Sequence, residues 1–260
     1  MSNTTFGFIV STCIIGIDHL LALKKCIESI RKYHDNTIVL VISYSSTIKD
    51  FQPYLTNYKN IIVETYEENT PGDMKVYDFF LKNKYFDKAI FLHDSMSINE
   101  PFTDIDTISD VKYLWHFTNH RVHWEIIEEE KTEIAIKNNI KNHDDLIKYL
   151  LNTYAEGEFR DYAIEYLYKK DNWVGCFGNL TIMDHSFLVK MNNQTNIVYI
   201  LNNMTSGRFR RASESIFSLA CQYSIGDEIH DSYDGLYYDG KNYSNNRKSK
   251  HITKRSFNRD

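Results

Sequence analysis

The chain has 260 residues, 42% hydrophobic and 14% aromatic, which is ample for a packed core and excludes global disorder. A net charge of −5 and a pI near 6.1 give no basic excess of the kind that marks a nucleic-acid binder. No stretch approaches the roughly 20 apolar residues of a membrane span, and the apolar N-terminus lacks a basic leader. A soluble, cytoplasmic protein without signal peptide or transmembrane segment is expected. Cys13, Cys26, Cys176 and Cys221 are dispersed, with no metal-like pairing, and read as free thiols, mostly buried. Sequons at Asn3, Asn179, Asn193, Asn203 and Asn242 follow from an Asn-rich composition and read as chance.

In chain order, Phe6 to Thr12 is rich in β-branched and aromatic residues and predicts a buried strand. From Asp18 to Tyr33, Leu20, Leu23, Ile27 and Ile30 recur at spacings of three and four, which predicts a helix. Thr37 to Ser43 and Asn60 to Thr65 predict two more strands, with a short helix around Ile48 to Leu55 between them. Asp73 to Asn83 predicts a helix with Met74, Tyr77, Phe80 and Leu81 on one side, and a fourth strand ends at His93. Strands apolar on both faces and separated by helices predict an α/β fold with a mostly parallel central sheet covered on both faces.

Beyond residue 100 the pattern changes. Val111 to Phe117 and Leu180 to Met183 are strand candidates, and Glu125 to Lys170 between them is charged and helical. Its acidic run, Glu125 and Glu128 to Glu130, reads as a solvated face. Residues 240–260 are basic and polar, and composition alone makes them a flexible tail. No repeat or Pro/Gly-rich linker divides the chain, so one domain over 1–260 is expected, with the helical insertion at about 125–170.

The apolar run Ala89 to Leu92 ends abruptly in His93-Asp94-Ser95. Ligands of open α/β sheets gather at the carboxyl ends of strands, where a carboxylate can hold a divalent metal and the metal a phosphate. A strand entering an Asp-capped turn explains the same residues. Ser11-Thr12-Cys13 and Ser43-Tyr44-Ser45 place hydroxyls after two other strands, suited to a base and ribose. Lys75, in the first turn after Pro71-Gly72, is either a cation for phosphate or ribose or a surface lysine.

With these motifs in this order the chain resembles a GT-A glycosyltransferase, the nucleotide-sugar-dependent type with a Rossmann-like domain. The sequence His93-Asp94-Ser95-Met96 is also similar to strand ends in glycosyltransferase-like proteins of large DNA viruses. The resemblance implies a nucleotide-binding half over 1–100 and an acceptor-side half over 101–260. It puts His93-Asp94-Ser95 where that family has a DxD-type motif for Mn²⁺ or Mg²⁺, here with a single acidic residue. It implies that His251 is a second metal ligand, with His230 as alternative, and that Lys254 or Arg255 neutralises the leaving nucleotide. Gly175 and Gly178, within Trp173 to Asn179, match a small-residue loop against the donor sugar, where glycine lets backbone approach a ligand; an ordinary turn is the alternative. Glu214 matches the catalytic residue that deprotonates the acceptor hydroxyl in inverting enzymes, and otherwise reads as a first-turn glutamate favoured by the helix dipole. Arg208, Arg210 and Arg211 beside it suit phosphate or an anionic acceptor, and Trp115, Trp124 and Trp173 are candidates for sugar stacking or for core.

The partners implied are a nucleotide-sugar donor, a UDP-sugar by the family's habit, and a glycan or other hydroxyl acceptor. Two rivals share this sheet. A sugar nucleotidyltransferase would show a basic Gly-rich loop after the first strand, which Ser11 to Gly16 does not supply. A catalytically degenerate protein that binds a glycan or a partner is favoured by the reduced DxD-like motif. No G-x-G-x-x-G or G-x-S-x-G marks a dehydrogenase or an α/β-hydrolase.

Overall fold

The apolar runs of the first hundred residues form alternating strands and helices: β1 (Phe6–Thr12), α1 (Ile17–Arg31), β2 (Ile38–Ser43), α2 (Gln52–Leu55), β3 (Ile61–Tyr66), α3 (Gly72–Lys82) and β4 (Lys88–His93). Three short strands follow: β5 (Met96–Ile98), β6 (Val111–Tyr113) and β7 (His116–Thr118). Next come α4 (His143–Tyr154), α5 (Gly157–Tyr168), β8 (Val174–Cys176), β9 (Thr181–Asp184), α6 (His185–Thr195), α7 (Ile197–Asn202) and α8 (Arg210–Ile225). The order closes with β10 (Leu236–Tyr238), β11 (Asn246–Lys248) and β12 (Ile252–Arg255). The structure is a computed structural model that describes residues 5–43, 52–66, 72–118, 137–168, 174–204, 209–226, 229, 232–238 and 246–255.

Six strands make the central sheet in the order β3-β2-β1-β4-β9-β6. The first four are parallel, while β9 and β6 run antiparallel to their neighbours; β1, β2 and β4 are buried on both faces, but β3 is the edge strand and, contrary to expectation, leaves Ile62 and Val63 exposed. Alternation divides the core. Phe8, Val10, Leu40, Ile90 and Leu92 pack with Leu23 and Ile27 of α1 on one face. Ile9, Val39, Val41 and Phe91 pack with residues of α3, α6, α7 and α8 on the other. Each such side chain, fully buried, contributes about 1.5–3 kcal/mol. Two three-stranded sheets, β10-β7-β8 and β11-β12-β5, flank this frame.

Two expectations change. Val111 to Phe117 is not one strand: it breaks between β6 and β7, which belong to different sheets. At the break the buried Leu114 donates its N–H to the Leu180 carbonyl at 2.8 Å, and the buried Trp115 accepts from Phe177 N at 3.1 Å. Non-local hydrogen bonds thus split an apolar run that local pattern reads as continuous. The basic tail, within its described part, is a docked hairpin: β12 pairs with β11 and with β5, and Ile252 is fully buried.

Of the charged insertion, residues 137–168 carry α4 and α5, whereas Trp124 and the acidic run lie outside the described residues. Asn142 caps α4, its Oδ1 accepting from Asp145 N at 2.9 Å, and Asp145 accepts in return from Lys141 N at 3.0 Å. Cys26, Cys176 and Cys221 are buried free thiols and Cys13 is half-buried. Among the described residues no helix is long and apolar enough to cross a membrane.

Candidate functional site at the β1–β4 switch point

The chain lays β2 and β3 on one side of β1 and then returns to place β4 on the other. Strand order therefore reverses between β1 and β4, and the carboxyl ends of that pair are where an open α/β sheet takes a ligand. Ser11 and Thr12 end β1, and His93 ends β4. Asp94 follows, its N–H donating to the Ser11 carbonyl at 3.1 Å. The Thr12 hydroxyl donates to Asp94 Oδ2 at 2.5 Å, a short charge-assisted bond that fixes the carboxylate across the switch point. Ser95 is half-buried in the turn into β5.

A second polar group lies at the ends of β2 and β3. The Ser43 hydroxyl bonds the phenol of Tyr66, whose acidity burial suppresses, raising its pKa to about 12. Gly72 opens α3 beneath that phenol, since a Cβ there would stand 2.8 Å from the Tyr66 oxygen and 3.6 Å from Ser11 Cβ. Lys75, which sequence allows as a surface residue, is only 3% exposed, and Asp78 Oδ2 stands 3.9 Å from its ammonium. A buried cation on the first turn of α3 is costly unless anions face it. Tyr44, Ser45 and Pro71 lie outside the described residues.

The turn between β8 and β9 joins this end to α8. Gly178 has φ of 65°, and a Cβ on it would approach His93 Cε1 to 3.1 Å. Gly175 is small for another reason: its missing Cβ is replaced by the Phe117 ring, within 2.0 Å of where the Cβ would be, so it serves sheet packing. Asn179, also left-handed at φ 55°, is 1% exposed and donates from Nδ2 to Ser213 Oγ at 3.3 Å. Tyr77 of α3 donates its hydroxyl to the Asn179 carbonyl. Glu214 follows Ser213 in the second turn of α8, not in the first turn where the helix dipole would favour it, and is 5% exposed; burial raises the pKa of the Cys176 thiol of β8, and the Glu214 charge adds to that. Ser218 fixes this junction, accepting from Cys176 N at 2.6 Å and donating to the Glu214 carbonyl at 2.6 Å.

The tail reaches the site through Lys254, not His251. Register sets Lys254 opposite Met96, two residues past Asp94, and the ammonium lies 4.6 Å from the centroid of the Phe177 ring, next to Gly178. Arg255 ends β12 beyond it. His251 lies three residues back, its carbonyl accepting from Asn99 N at 2.8 Å. Its ring stacks on Phe102, which in turn meets Phe8 in the middle of β1 at 6.3 Å between centroids. Strand rise of about 3.3 Å per residue sets that level well below Thr12. The Nδ1 of His251 pairs with Asp234 Oδ1 at 2.6 Å. The structure does not bring His251 and Asp94 together. His230, Trp173 and Arg208 lie outside the described residues, as do the side chains of Arg210, Arg211 and Arg255. Trp115 is 1% exposed and belongs to the core.

Among the described residues no three His, Cys, Asp or Glu side chains gather as a metal cage. Among the described residues Asp94 is the carboxylate oriented across the switch point, with Asp73 of α3 acting on the Tyr66 phenol, so phosphate oxygens and water would complete any coordination shell at Asp94. Sequence reading missed Tyr66, Tyr77, Asn179, Ser213 and Ser218. Asn179 offered one signal, an Asn directly after Gly178, since both residue types tolerate the left-handed region.

No protein-family model matches the chain, and no curated protein matches it. Among solved structures it is similar to the apo form of WbbM, a bifunctional glycosyltransferase, with TM-score 0.45 and 10% identity, over 84% of this chain and 37% of that one. It is similar also to TarS of S. aureus, with TM-score 0.44 and 15% identity, over 85% of this chain and 34% of that one. The chain thus spans little more than a third of the length of either structure.

Proposed function

We propose that the protein is a glycosyltransferase that moves a sugar from a nucleotide-sugar donor, a UDP-sugar first, to a hydroxyl of a glycan or other acceptor, with Mn²⁺ or Mg²⁺ at Asp94. The observation that carries this reading is the Thr12–Asp94 bond across the switch point, with the turn from Phe177 to Asn179 linking it to Lys254 on one side and Glu214 on the other. The sequence resemblance to GT-A enzymes rests on the same residues.

In this reading Ser11, Ser43 and the Tyr66 phenol offer hydroxyls to the base and ribose, and Ser95 and His93 shape the floor beneath the diphosphate. Lys75 and Lys254 supply positive charge where the leaving nucleoside diphosphate gains negative charge, with Arg255 next in the chain. Held in place, such cations act on developing charge without reorganisation. Asp94, the donor's phosphate oxygens and water would hold the metal, which when bound neutralises the diphosphate. Gly178 gives the sugar close access to backbone. Glu214 takes the proton of the acceptor hydroxyl while the bond from the anomeric carbon to that oxygen forms and the bond to the phosphate oxygen breaks. That division of roles gives inversion.

A thermal-shift panel of UDP, GDP and CMP, each with Mn²⁺ and with EDTA, tests the reading. At about 100 times its dissociation constant a ligand stabilises the fold by roughly 2.7 kcal/mol, a clear rise in melting temperature. UDP with Mn²⁺ should give that rise, and EDTA or Asp94→Ala should abolish it while melting stays cooperative. No shift with any nucleotide would overturn the proposal.

A further inference from the structure

The hairpin that carries Lys254 is joined to the body by few backbone bonds. β12 pairs with β5 at Ile252, Thr253 and Lys254 only, and so short a ladder sets register weakly on its own. A slip of one residue would turn Lys254 to the opposite face and remove it from Phe177. The buried Ile252 holds one face of the strand to the core, and polar contacts outside the ladder reinforce its register.

The buried polar group among them is Asp234. Its side chain is 1% exposed and receives both polar residues at the hairpin's base, Ser249 Oγ at 2.5 Å and His251 Nδ1 at 2.6 Å. The Asp234 backbone is itself anchored on the end of β6: Tyr233 N donates to the Tyr113 carbonyl at 2.7 Å, and Asp234 N to the Leu114 carbonyl at 2.9 Å. Tyr233 and Phe102 hold the His251 ring, with centroids at 4.7 and 5.9 Å. Asn99 adds a clasp from the other strand, donating from Nδ2 to the Ser249 carbonyl at 3.2 Å and accepting from Thr253 Oγ1 at 3.0 Å. Contacts thus run unbroken from the central sheet through Asp234 and His251 to Lys254 and Phe177.

We propose that Asp234 is a positioning residue for Lys254: it pins the C-terminal hairpin in the one register that delivers this cation to the donor's diphosphate, with His251 and Ser249 as the pinned groups. The proposal rests on the glycosyltransferase reading for the diphosphate, and on geometry alone for the pin.

Two measurements on the full chain separate these parts. Hydrogen exchange reads the pin: in Asp234→Ala the amides of 252–254 should lose at least about tenfold in protection, since removing partners from buried polar groups opens a segment locally. The amides of β1 and β4 should not change. Asp234→Asn, which keeps one acceptor oxygen, should restore most of the protection. Calorimetric binding of UDP with Mn²⁺ reads the positioning: Asp234→Ala and Lys254→Ala should each weaken affinity by roughly tenfold, and the double variant no further, the signature of two residues acting as one. Unchanged exchange in Asp234→Ala would overturn the pin, and additive losses in the double variant would overturn its action through Lys254. If UDP does not bind the wild type, the donor reading falls and the positioning role with it, while the exchange result still decides the pin. Should Asp234→Ala fail to melt cooperatively, Ser249→Ala removes one of the two bonds and should show the same change at smaller size.

Discussion

The two ends of the central sheet treat polar groups in opposite ways. At the amino ends, cations are consumed mainly by main-chain carbonyls. Lys88 of β4 donates to the Ile105 carbonyl at 2.8 Å and to that of Ile108, with Asp184 at 3.4 Å. Arg31 spreads its guanidinium over the carbonyls of His34, Asn36, Lys59 and Asn60. Thr5 closes on Asp87 with both its N–H and its hydroxyl. At the carboxyl ends, side chains meet side chains: Thr12 with Asp94, Ser43 with Tyr66, and Lys75 at a longer reach from Asp78. A cation whose hydrogen bonds end on nearby carbonyls is a structural rivet. Hydroxyls and carboxylates converging from separate strands form a polar surface that a ligand can engage. The contrast favours the carboxyl end of the sheet as the place of function.

Breaking each end should therefore give different losses. The largest is expected for Lys88→Met, which leaves the Asp184 carboxylate and two carbonyls without their cation; Asp184 is half-buried and also accepts from Asp110 N, so the loss should lie near the lower end of the about 3–5 kcal/mol that breaking a buried pair costs. Urea unfolding should show that loss, while UDP affinity of the protein still folded stays at the wild-type value. A large fall in affinity would mean that the two ends are not independent. Thr12→Val reverses the pattern. It keeps shape but removes the bond that orients Asp94, so UDP affinity should fall by roughly tenfold, equivalent to about 1.4 kcal/mol, with a stability loss of about 1.5 kcal/mol, smaller than that of Lys88→Met. Equal affinity in this variant would show that Asp94 needs no orienting. Gly178→Ala comes next. Its left-handed φ costs a residue with Cβ about 1 kcal/mol, and the contact with His93 adds to it. Both unfolding and UDP binding should respond, because this turn belongs to the frame and to the site.

β1, β2 and β4 were legible because burial on both faces writes itself into sequence as unbroken apolar runs, whereas the apolar run of β3 sits at the sheet edge with Ile62 and Val63 exposed. β1 matches its expected bounds, and α1, β2, β3, α3 and β4 lie within about two residues of theirs. The site was legible only where it follows a strand end. Thr12 and Asp94 could be named singly, but their bond spans 82 positions, and nothing local announces it. Lys75 reads first as a surface lysine yet is buried, because one lysine carries no record of what α3 packs against. The tail misleads composition for a related reason: seven basic residues hide Ile252, the one apolar anchor that docks the strand. Gly175 and Gly178 look alike in sequence, yet one makes room for Phe117 and the other turns the chain beside His93.

The smallest predicted effect sharpens the comparison through pH. His34 sits at the amino end of the sheet, its Nε2 accepting from Phe102 N at 3.1 Å, enclosed by Phe6, Phe8 and Phe102. Burial lowers its pKa below the ordinary value of 6.5, because the imidazolium would be desolvated and would lose this acceptor. The unfolded chain then binds a proton at a higher pH than the folded one, so stability declines as the solution is acidified. His34's contribution is whole above pH 6.5 and is lost as pH drops through the lowered folded value. Urea midpoints of the wild type should decline from about pH 7.5 to about pH 5.5, a window that brackets the ordinary imidazole value. His34→Gln, which keeps an amide acceptor that does not titrate, should flatten part of that slope. An identical slope in the variant would assign the acid sensitivity to another group. The Thr12→Val variant, altered only at the opposite end, should keep the wild-type slope, so one titration separates the two ends of the sheet without a ligand.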